Sequence, residues 1–324
     1  MISERNPLKD KIAFANAATT GFVPHNTDRS ATSFAVEACV KVMRDTGLGP
    51  RDIDGICGPS TPSAQVLQHA LGIPEITWFA NPPVPFGNQV AAAMGAISAG
   101  LCDVVLAYHA LHRSAFFTAS ALRDPFRRPP GGGGSGPGPD TIAMAVGYTA
   151  WASRYIHEYG AKREDFGRVA VSDRSNAADN PAAAMREPIT MDDYLQARMI
   201  REPLCLLDMD VPVDGGDAFI ITTAERAQDM PYEPVLIHAA TLGQIDKSME
   251  DQTPSLLRNG QHVVIEALRS RSDFWIDDVD VYFPYDGFTI ITLNWIENAG
   301  WCGRGEGGAF LGDHWDSEGN RVLI

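Results

Sequence analysis

Pro284-Tyr285-Asp286-Gly287-Phe288 sets a phenol, a carboxyl and a glycine between a strand-like run, Val279 to Phe283, and an apolar helix-like run, Phe288 to Asn298. Two chemistries suit that arrangement. In one, Asp286 caps the helix and Tyr285 packs, because the first N–H groups of a helix have no partners of their own. In the other, Tyr285 and Asp286 form an acid/base pair. The positive end of the helix favours a phenolate there, and both groups need partners if they are buried. The pattern alone leaves both open.

Other chemistry-bearing residues are less pointed. A nucleophilic cysteine needs a helix N-terminus or a cation to hold its thiolate. Cys39 falls inside an amphipathic helix, Cys57 at a strand end, and Cys102 just before a buried strand. Cys205 lies within Pro203-Leu204-Cys205-Leu206-Leu207, and Cys302 follows a helix C-terminus, where the dipole opposes a thiolate. All five read as structural, and none are spaced as a Cys-x-x-Cys pair. His109 and His112 are three apart without further ligands near them, and His157-Glu158 lacks a second histidine at helical spacing, so no metal site is expected. The glycine tract Gly131 to Pro139 matches Gly-x-Gly-x-x-Gly but follows no strand. Gly303-Arg304-Gly305-Glu306-Gly307-Gly308 also matches, but it follows a helix, the wrong setting for a phosphate cradle. It reads either as a turn that ends the helix or as a loop lining a pocket, with Gly305 and Glu306 as its substrate-facing residues. Gly133-Gly134-Ser135-Gly136-Pro137 fails as a nucleophile elbow at its last position.

The elements that must carry these residues alternate. Strands are expected at Lys11 to Ala17, Ile53 to Cys57, Ile76 to Ala80 and Asp103 to Ala107. Helices are expected at Ala31 to Asp45, Ala64 to Leu71 and Gly87 to Ala99, the first capped from within Thr27-Asp28-Arg29-Ser30. This is the pattern of βαβ units on a largely parallel sheet. An excursion over about 110–165 holds the glycine-rich tract. Helices follow at 143–158, 165–177 and 191–199, and a strand at Ala218 to Thr222. The last hundred residues resume the alternation: strand Val235 to Ala240, helix Pro254 to Ser270, strand Val279 to Phe283, helix Phe288 to Asn298. The helices at 87–99 and 288–298 carry no charge before their last turns. A helix apolar all round is buried all round, so both are expected between sheets in a layered α/β/α/β/α arrangement, with a single doubly wound sheet carrying one well-covered helix per face as the alternative.

Composition bounds the rest. The chain has 324 residues, 41 acidic and 26 basic side chains, and a formal charge of −15. That length fits about two domains at roughly 150 residues each. The acidic balance opposes phosphate backbones and anionic lipid surfaces, so nucleic acid and membrane are not expected partners. The polar N-terminus and the lack of a long apolar run point to a cytoplasmic protein.

Tyr285-Asp286-Gly287-Phe288, Trp295-Ile296-Glu297 and the Gly300-to-Gly308 segment resemble the sterol-carrier-type branch of the thiolase superfamily. So do Ile53-Asp54-Gly55-Ile56-Cys57 and Pro212-Val213-Asp214-Gly215-Gly216-Asp217-Ala218 with Thr222-Thr223-Ala224-Glu225-Arg226-Ala227. The resemblance implies a thiolase-like five-layer αβαβα fold with an inserted loop domain, its first half over 1–228 and its second over 229–324. It also implies that a glycine- and histidine-containing loop and a second cysteine belong beyond Ile324, so the second half reads as truncated.

The carry-over of thiolase chemistry fails at one position. The family's nucleophilic cysteine precedes the first buried helix, and here that place falls at about Val84, in Pro82-Pro83-Val84-Pro85-Phe86-Gly87. Valine forms no acyl-enzyme. Tyr285 stands where the family has a His or Asn. The combination resembles the thiolase-like lipid-transfer-protein aldolases of steroid side-chain degradation. That resemblance implies retro-aldol cleavage of a β-hydroxyacyl-CoA, with Tyr285 moving the hydroxyl proton and Asp286 orienting it. Val84, Phe86 and Gly87 would flank the thioester, and backbone N–H groups near Gly87 would receive its oxygen. No bound cofactor is implied beyond the coenzyme A of the substrate. A homodimer and a small OB-fold/zinc-ribbon partner protein are implied as well. The competing expectations are an ordinary thiolase or acetyl-CoA acyltransferase with another cysteine, and a non-catalytic acyl-CoA- or lipid-binding subunit.

Overall fold

The computed structural model describes residues 6–24, 28–82, 86–113, 141–245 and 255–315, without side chains for 141–146. Pro83, Val84, Pro85 and the Gly131-to-Pro139 tract lie outside the described residues. The chain divides into two compact units. One comprises Met1–Thr118, Pro212–Leu242 and Ala267–Asp273, the other Ala119–Val211, Gly243–Glu266 and Phe274–Ile324. These units are drawn differently from halves over 1–228 and 229–324, because the stretch after Pro212 returns to the first sheet.

The first unit is built on six strands in the order β3-β2-β4-β7-β1-β8. They are β1 (Ile12–Val23), β2 (Gly55–Cys57), β3 (Trp78–Ala80), β4 (Val104–His112), β7 (Asp214–Thr223) and β8 (Val235–Leu236). Strand β2 pairs in parallel with β3 and β4, as the βαβ pattern predicts. The rest of the sheet corrects the largely parallel expectation. Strand β7 arrives from the far side of the excursion and runs antiparallel to both β4 and β1. That pairing lengthens its neighbours: β1 continues to Val23 opposite Asp214, and β4 to His112, also opposite Asp214. The strand expected over 235–240 keeps only two ladder residues.

Helix α1 (Ala31–Thr46) covers one face of this sheet. Ser30 caps it by accepting the Ser33 N–H, and Gly47 closes it at φ 75°. Its Phe34, Ala38, Cys39 and Val42 pack with Leu106, Tyr108 and Ile220. Helix α2 (Ala64–Ala70) extends that layer. Helix α3 (Gly87–Ser98) covers the other face through Val90, Ala93, Met94 and Ile97, against Val105, Ala107 and Ile221. Gly87, Gly95 and Ser98 are exposed, so α3 is buried on one side and not all round. The Ile53-to-Cys57 motif has a structural reason. Asp54 accepts the N–H groups of Asp103 and Val104 and so pins the start of β4. A Cβ at Gly55 would lie 2.9 Å from the Val105 side chain.

The second unit is mostly helical: α4 (Thr141–Tyr159), α5 (Arg163–Ala178), α6 (Met191–Gln196), α9 (Thr289–Ala299) and α10 (Gly307–Asp313). The helix expected to run to 199 stops at Gln196. The chain then turns into a short hairpin, β5 (Met199–Arg201) with β6 (Leu204–Cys205). Helix α9 is the apolar helix of the 288–298 run and is buried along nearly all its length, from Thr289 to Asn294 and at Ile296, Glu297 and Ala299. Tyr148, Trp151, Tyr155, Phe166, Tyr194 and Phe288 surround it. The run Val279 to Phe283 is not a strand. No described segment lies alongside to complete its ladder, and Val281 and Phe283 stand 65% and 90% exposed. Helix α8 (Gly260–Arg269) crosses the division between the units and begins six residues later than the expected Pro254, while α7 (Ala224–Gln228) follows β7 within the first unit. No described helix is long and apolar enough to cross a membrane.

Candidate functional site

Tyr285 and Asp286 lie immediately before α9, in the second unit. The N-cap of α9 is Phe288, with no side chain bonded to the first turn, so Asp286 does not cap it. The capping expectation therefore fails, and the carboxyl of Asp286 stays available for other chemistry. Burial raises it above the ordinary carboxylate range, against the pull of its own backbone N–H. The Tyr285 ring folds back over Gly287. A Cβ built at Gly287 would press on the phenol oxygen and lie 2.5 Å from Cζ. Only glycine leaves room for the phenol to lie there, over the backbone that leads into α9. Tyr285 is 56% exposed.

The start of α9 is fixed by a polar knot that sequence reading missed. Asp208, 1% exposed, accepts hydrogen bonds from the Tyr194 and Thr289 hydroxyls, each at 2.7 Å, and from the Cys205 N–H at 2.7 Å. Thr289 is the first residue of α9. A bridge between Met209 and Phe288 and a bond from the Asp210 N–H to the Gly287 carbonyl hold the incoming chain. The available signal was a lone carboxylate after the apolar run Leu204-Cys205-Leu206-Leu207, a position a charge occupies only with partners.

Gly305 and Glu306 lie at the opposite end of α9 from Tyr285 and Asp286, separated by an 11-residue helix of about 16 Å. Gly305 sits at φ 78° with the Tyr159 ring packed where a Cβ would be. The Glu306 carboxylate accepts the Gly303 N–H at 2.8 Å. Both residues thus shape the turn after the helix. Just inside that turn, Glu297 accepts from the Tyr155 hydroxyl and the Gly307 N–H.

In the first unit, Val84 lies outside the described residues. Phe86 and Gly87 stand at the start of α3. Phe86 packs on Phe219 at 4.5 Å between ring centroids and near Phe14, which anchors that helix end on the sheet. At Gly87 an added Cβ would meet nothing closer than Leu242, at 3.8 Å. The cysteines are poor nucleophiles. Burial pushes Cys57, Cys102 and Cys302 to about 12, with neighbouring acidic groups adding to the last two, and it raises Cys39 and Cys205 as well. Among the described residues no cluster of His, Cys, Asp and Glu could hold a metal ion.

No family model matches the chain. Individual relatives do. A steroid side-chain-cleaving aldolase of Thermomonospora curvata is 34% identical over 337 aligned residues, spanning 94% of this chain and 82% of that protein. A 17-hydroxy-3-oxo-4-pregnene-20-carboxyl-CoA lyase of Mycobacterium tuberculosis is 32% identical, spanning 98% of this chain and 86% of the relative. Among solved structures, the Ltp2-ChsH2(DUF35) aldolase aligns with a TM-score of 0.80 at 32% identity, over 97% of this chain and 83% of that one. The acetyl-CoA acetyltransferase of Bacillus anthracis aligns at a TM-score of 0.65 with 14% identity, over 89% and 83%, a likeness of fold alone. With a thiolase-like fold, five buried or half-buried thiols and two aldolase relatives matched over nearly its whole length, the chain belongs to the thiolase-like aldolase family, the carbon–carbon lyases of the thiolase superfamily.

Proposed function

We propose that the chain cleaves a β-hydroxyacyl-CoA by retro-aldol chemistry, with a steroid side chain as the acyl group. The observation that carries the reading is the Tyr285 phenol held over Gly287 at the N-terminal end of α9. In such a cleavage the β-hydroxyl loses its proton and becomes a carbonyl. The Cα–Cβ bond breaks, its electron pair passes into a thioester enolate, and the enolate carbon takes up a proton. Tyr285 serves the hydroxyl, and Asp286 orients it. Gly305 and Glu306 support substrate binding only by shaping the turn after α9. The steroid assignment draws on the printed activities of the two relatives.

The chain acts as a cytoplasmic homodimer in this reading. Strand β3 lies at one edge of the sheet among the described residues, and Phe79 on it is 50% exposed, which suits pairing with a second copy. A small OB-fold/zinc-ribbon partner is part of the same reading, supported by the two-component name of the aldolase structure.

The test is release of ketone or aldehyde from a β-hydroxyacyl-CoA by the full chain, alone and with such a partner. Acetyl-CoA should leave no covalent label on any of the five cysteines, as judged by intact-mass measurement. A labelled cysteine that is released by a second thiol would establish the acyltransferase instead. Coenzyme A binding without cleavage of any β-hydroxyacyl-CoA would establish the binding subunit.

Gly287 offers a more local test. Gly287→Ala should displace the phenol while leaving the helix in place, because the clashing atoms are the far end of a movable ring. A misplacement of about 1 Å costs on the order of 10²-fold in rate. Turnover should fall by about that factor with an unchanged melting temperature, and wild-type turnover in this variant would show that the folded-back phenol is not the working one.

A further inference from the structure

The stretch Gly303 to Gly308 reads in sequence as a turn or as a pocket loop. Gly305 and Glu306 build the turn, and Arg304 is left outside that task. Arg304 is exposed and forms no ion pair among the described residues. Its Nη2 lies 3.3 Å from Nε2 of His262, in the first turn of α8. The acids beside it are engaged elsewhere. Glu306 accepts the Gly303 N–H, and Glu297 accepts from the Tyr155 hydroxyl and the Gly307 N–H.

The groups around Arg304 are held in place. Asn298, near the end of α9, donates to the Gln261 side-chain oxygen at 2.8 Å, so α8 starts against the C-terminal end of α9. The Asn259 N–H meets Nδ1 of His262 at 3.2 Å. Glu266 sits one turn after His262 on the same face of α8, and Arg258 clamps its carboxylate through two bonds of 2.9 Å. Two guanidiniums thus come to the side of one imidazole. Burial and those two charges hold His262 below the ordinary histidine range, so it serves as a neutral hydrogen-bonding group at neutral pH. Glu266 cancels Arg258, and the surplus positive charge is that of Arg304. In a chain of formal charge −15, such a surplus is a seat for an anion, and the guanidinium fork suits a phosphate.

We propose that Arg304, supported by His262 and Arg258, holds the diphosphate of the coenzyme A thioester. This rests on the aldolase reading and deepens it by placing the nucleotide end of the substrate. The spacing fits. Tyr285 precedes α9 and Arg304 follows it, and the helix between them is about 16 Å long. The pantetheine arm joins the thioester sulphur to the diphosphate through an amide chain about four residues long, which spans roughly 15 Å when extended. An arm lying along α9 would set the thioester beside Tyr285 and the diphosphate beside Arg304. The glycine-rich turn then has a use in binding, because it presents the one arginine that no carboxylate neutralises among the described residues.

The experiment is calorimetric titration of the full chain with coenzyme A, dephospho-coenzyme A and pantetheine. Arg304→Gln should weaken binding of the first two by about 10- to 100-fold, the worth of a charge-assisted hydrogen bond or two. Pantetheine, which carries no phosphate, should bind as it does to wild type. Arg304→Lys should restore part of the loss, since it keeps the charge without the fork. In turnover, Arg304→Gln should raise KM for a β-hydroxyacyl-CoA at unchanged kcat, the sign of a contact made equally in ground and transition states. Wild-type binding of coenzyme A in Arg304→Gln overturns the proposal. So does an equal loss for pantetheine, which would mean a disturbed fold. A loss for coenzyme A that is absent with dephospho-coenzyme A would move the contact to the other phosphate and overturn the diphosphate assignment. The expected binding pattern in a chain that cleaves no β-hydroxyacyl-CoA would support the phosphate seat and overturn the aldolase reading alone.

Discussion

Tyr285→Phe in the full chain should lower turnover of a β-hydroxyacyl-CoA by about 10²- to 10⁴-fold, the usual worth of a positioned acid/base group. That factor corresponds to about 3–5 kcal/mol of transition-state stabilisation. The substitution is clean because it keeps the ring that folds over Gly287 and removes only the oxygen. Tyr285 is more than half exposed, and the melting temperature should stay where it was. Substrate affinity should change little, since the oxygen works on a bond that changes only in the transition state. The measurement is kcat and KM from ketone or aldehyde release, beside circular dichroism. Wild-type kcat in Tyr285→Phe would remove Tyr285 from the chemistry. A raised KM at unchanged kcat would make it a binding residue only.

The α/β character and most of the first unit were legible because local pattern and tertiary role agree there. Val104 to Ala107 is apolar without alternation, which fits a strand covered on both faces by α1 and α3. Ser30 caps α1 from within the expected capping stretch, and the helix runs one residue past the expected Asp45, to Thr46. The errors fall where a distant segment decides. Nothing between Ala218 and Thr222 announces that β7 will run antiparallel to both its neighbours and draw β4 and β1 out with it. Val279 to Phe283 has strand-forming residues, but a strand exists only in a ladder, and no described segment supplies one.

The candidate site shows the same limit. Tyr285 and Asp286 could be found because they are neighbours in sequence ahead of an apolar helix. Asp208 could not, because only packing brings the Tyr194 and Thr289 hydroxyls onto its carboxylate. Gly305 and Glu306 looked like pocket residues because a glycine-rich loop serves a turn and a pocket equally well in sequence. The length of α9 then sets them about 16 Å along the helix from Tyr285.

Asp208→Ala should destabilise the chain by about 3–5 kcal/mol, a range reached when a buried charge network loses its acceptor. Three donors converge on this carboxylate: the Tyr194 hydroxyl, the Thr289 hydroxyl and the Cys205 N–H. Each lies in a buried setting, and each donor left without a partner costs about 1–3 kcal/mol. Asp208→Asn should lose roughly half as much. Its one oxygen can still serve the two hydroxyls, but the amide NH2 then faces the Cys205 N–H, donor against donor. The midpoints of urea unfolding for wild type, Asn and Ala should fall in that order. A loss under about 1 kcal/mol in Asp208→Ala would mean that the three donors find other partners. The same substitution bears on chemistry, because Thr289 is the residue through which Asp208 holds the first turn of α9. Loosening that turn moves Gly287 and the phenol lying over it, so Asp208→Ala should lower kcat even where the chain remains folded. Asp208→Asn, which can keep the Thr289 bond, should lower stability more than turnover. A variant that lost stability while keeping full turnover in both forms would separate the knot from the site and leave Gly287 alone to hold the phenol.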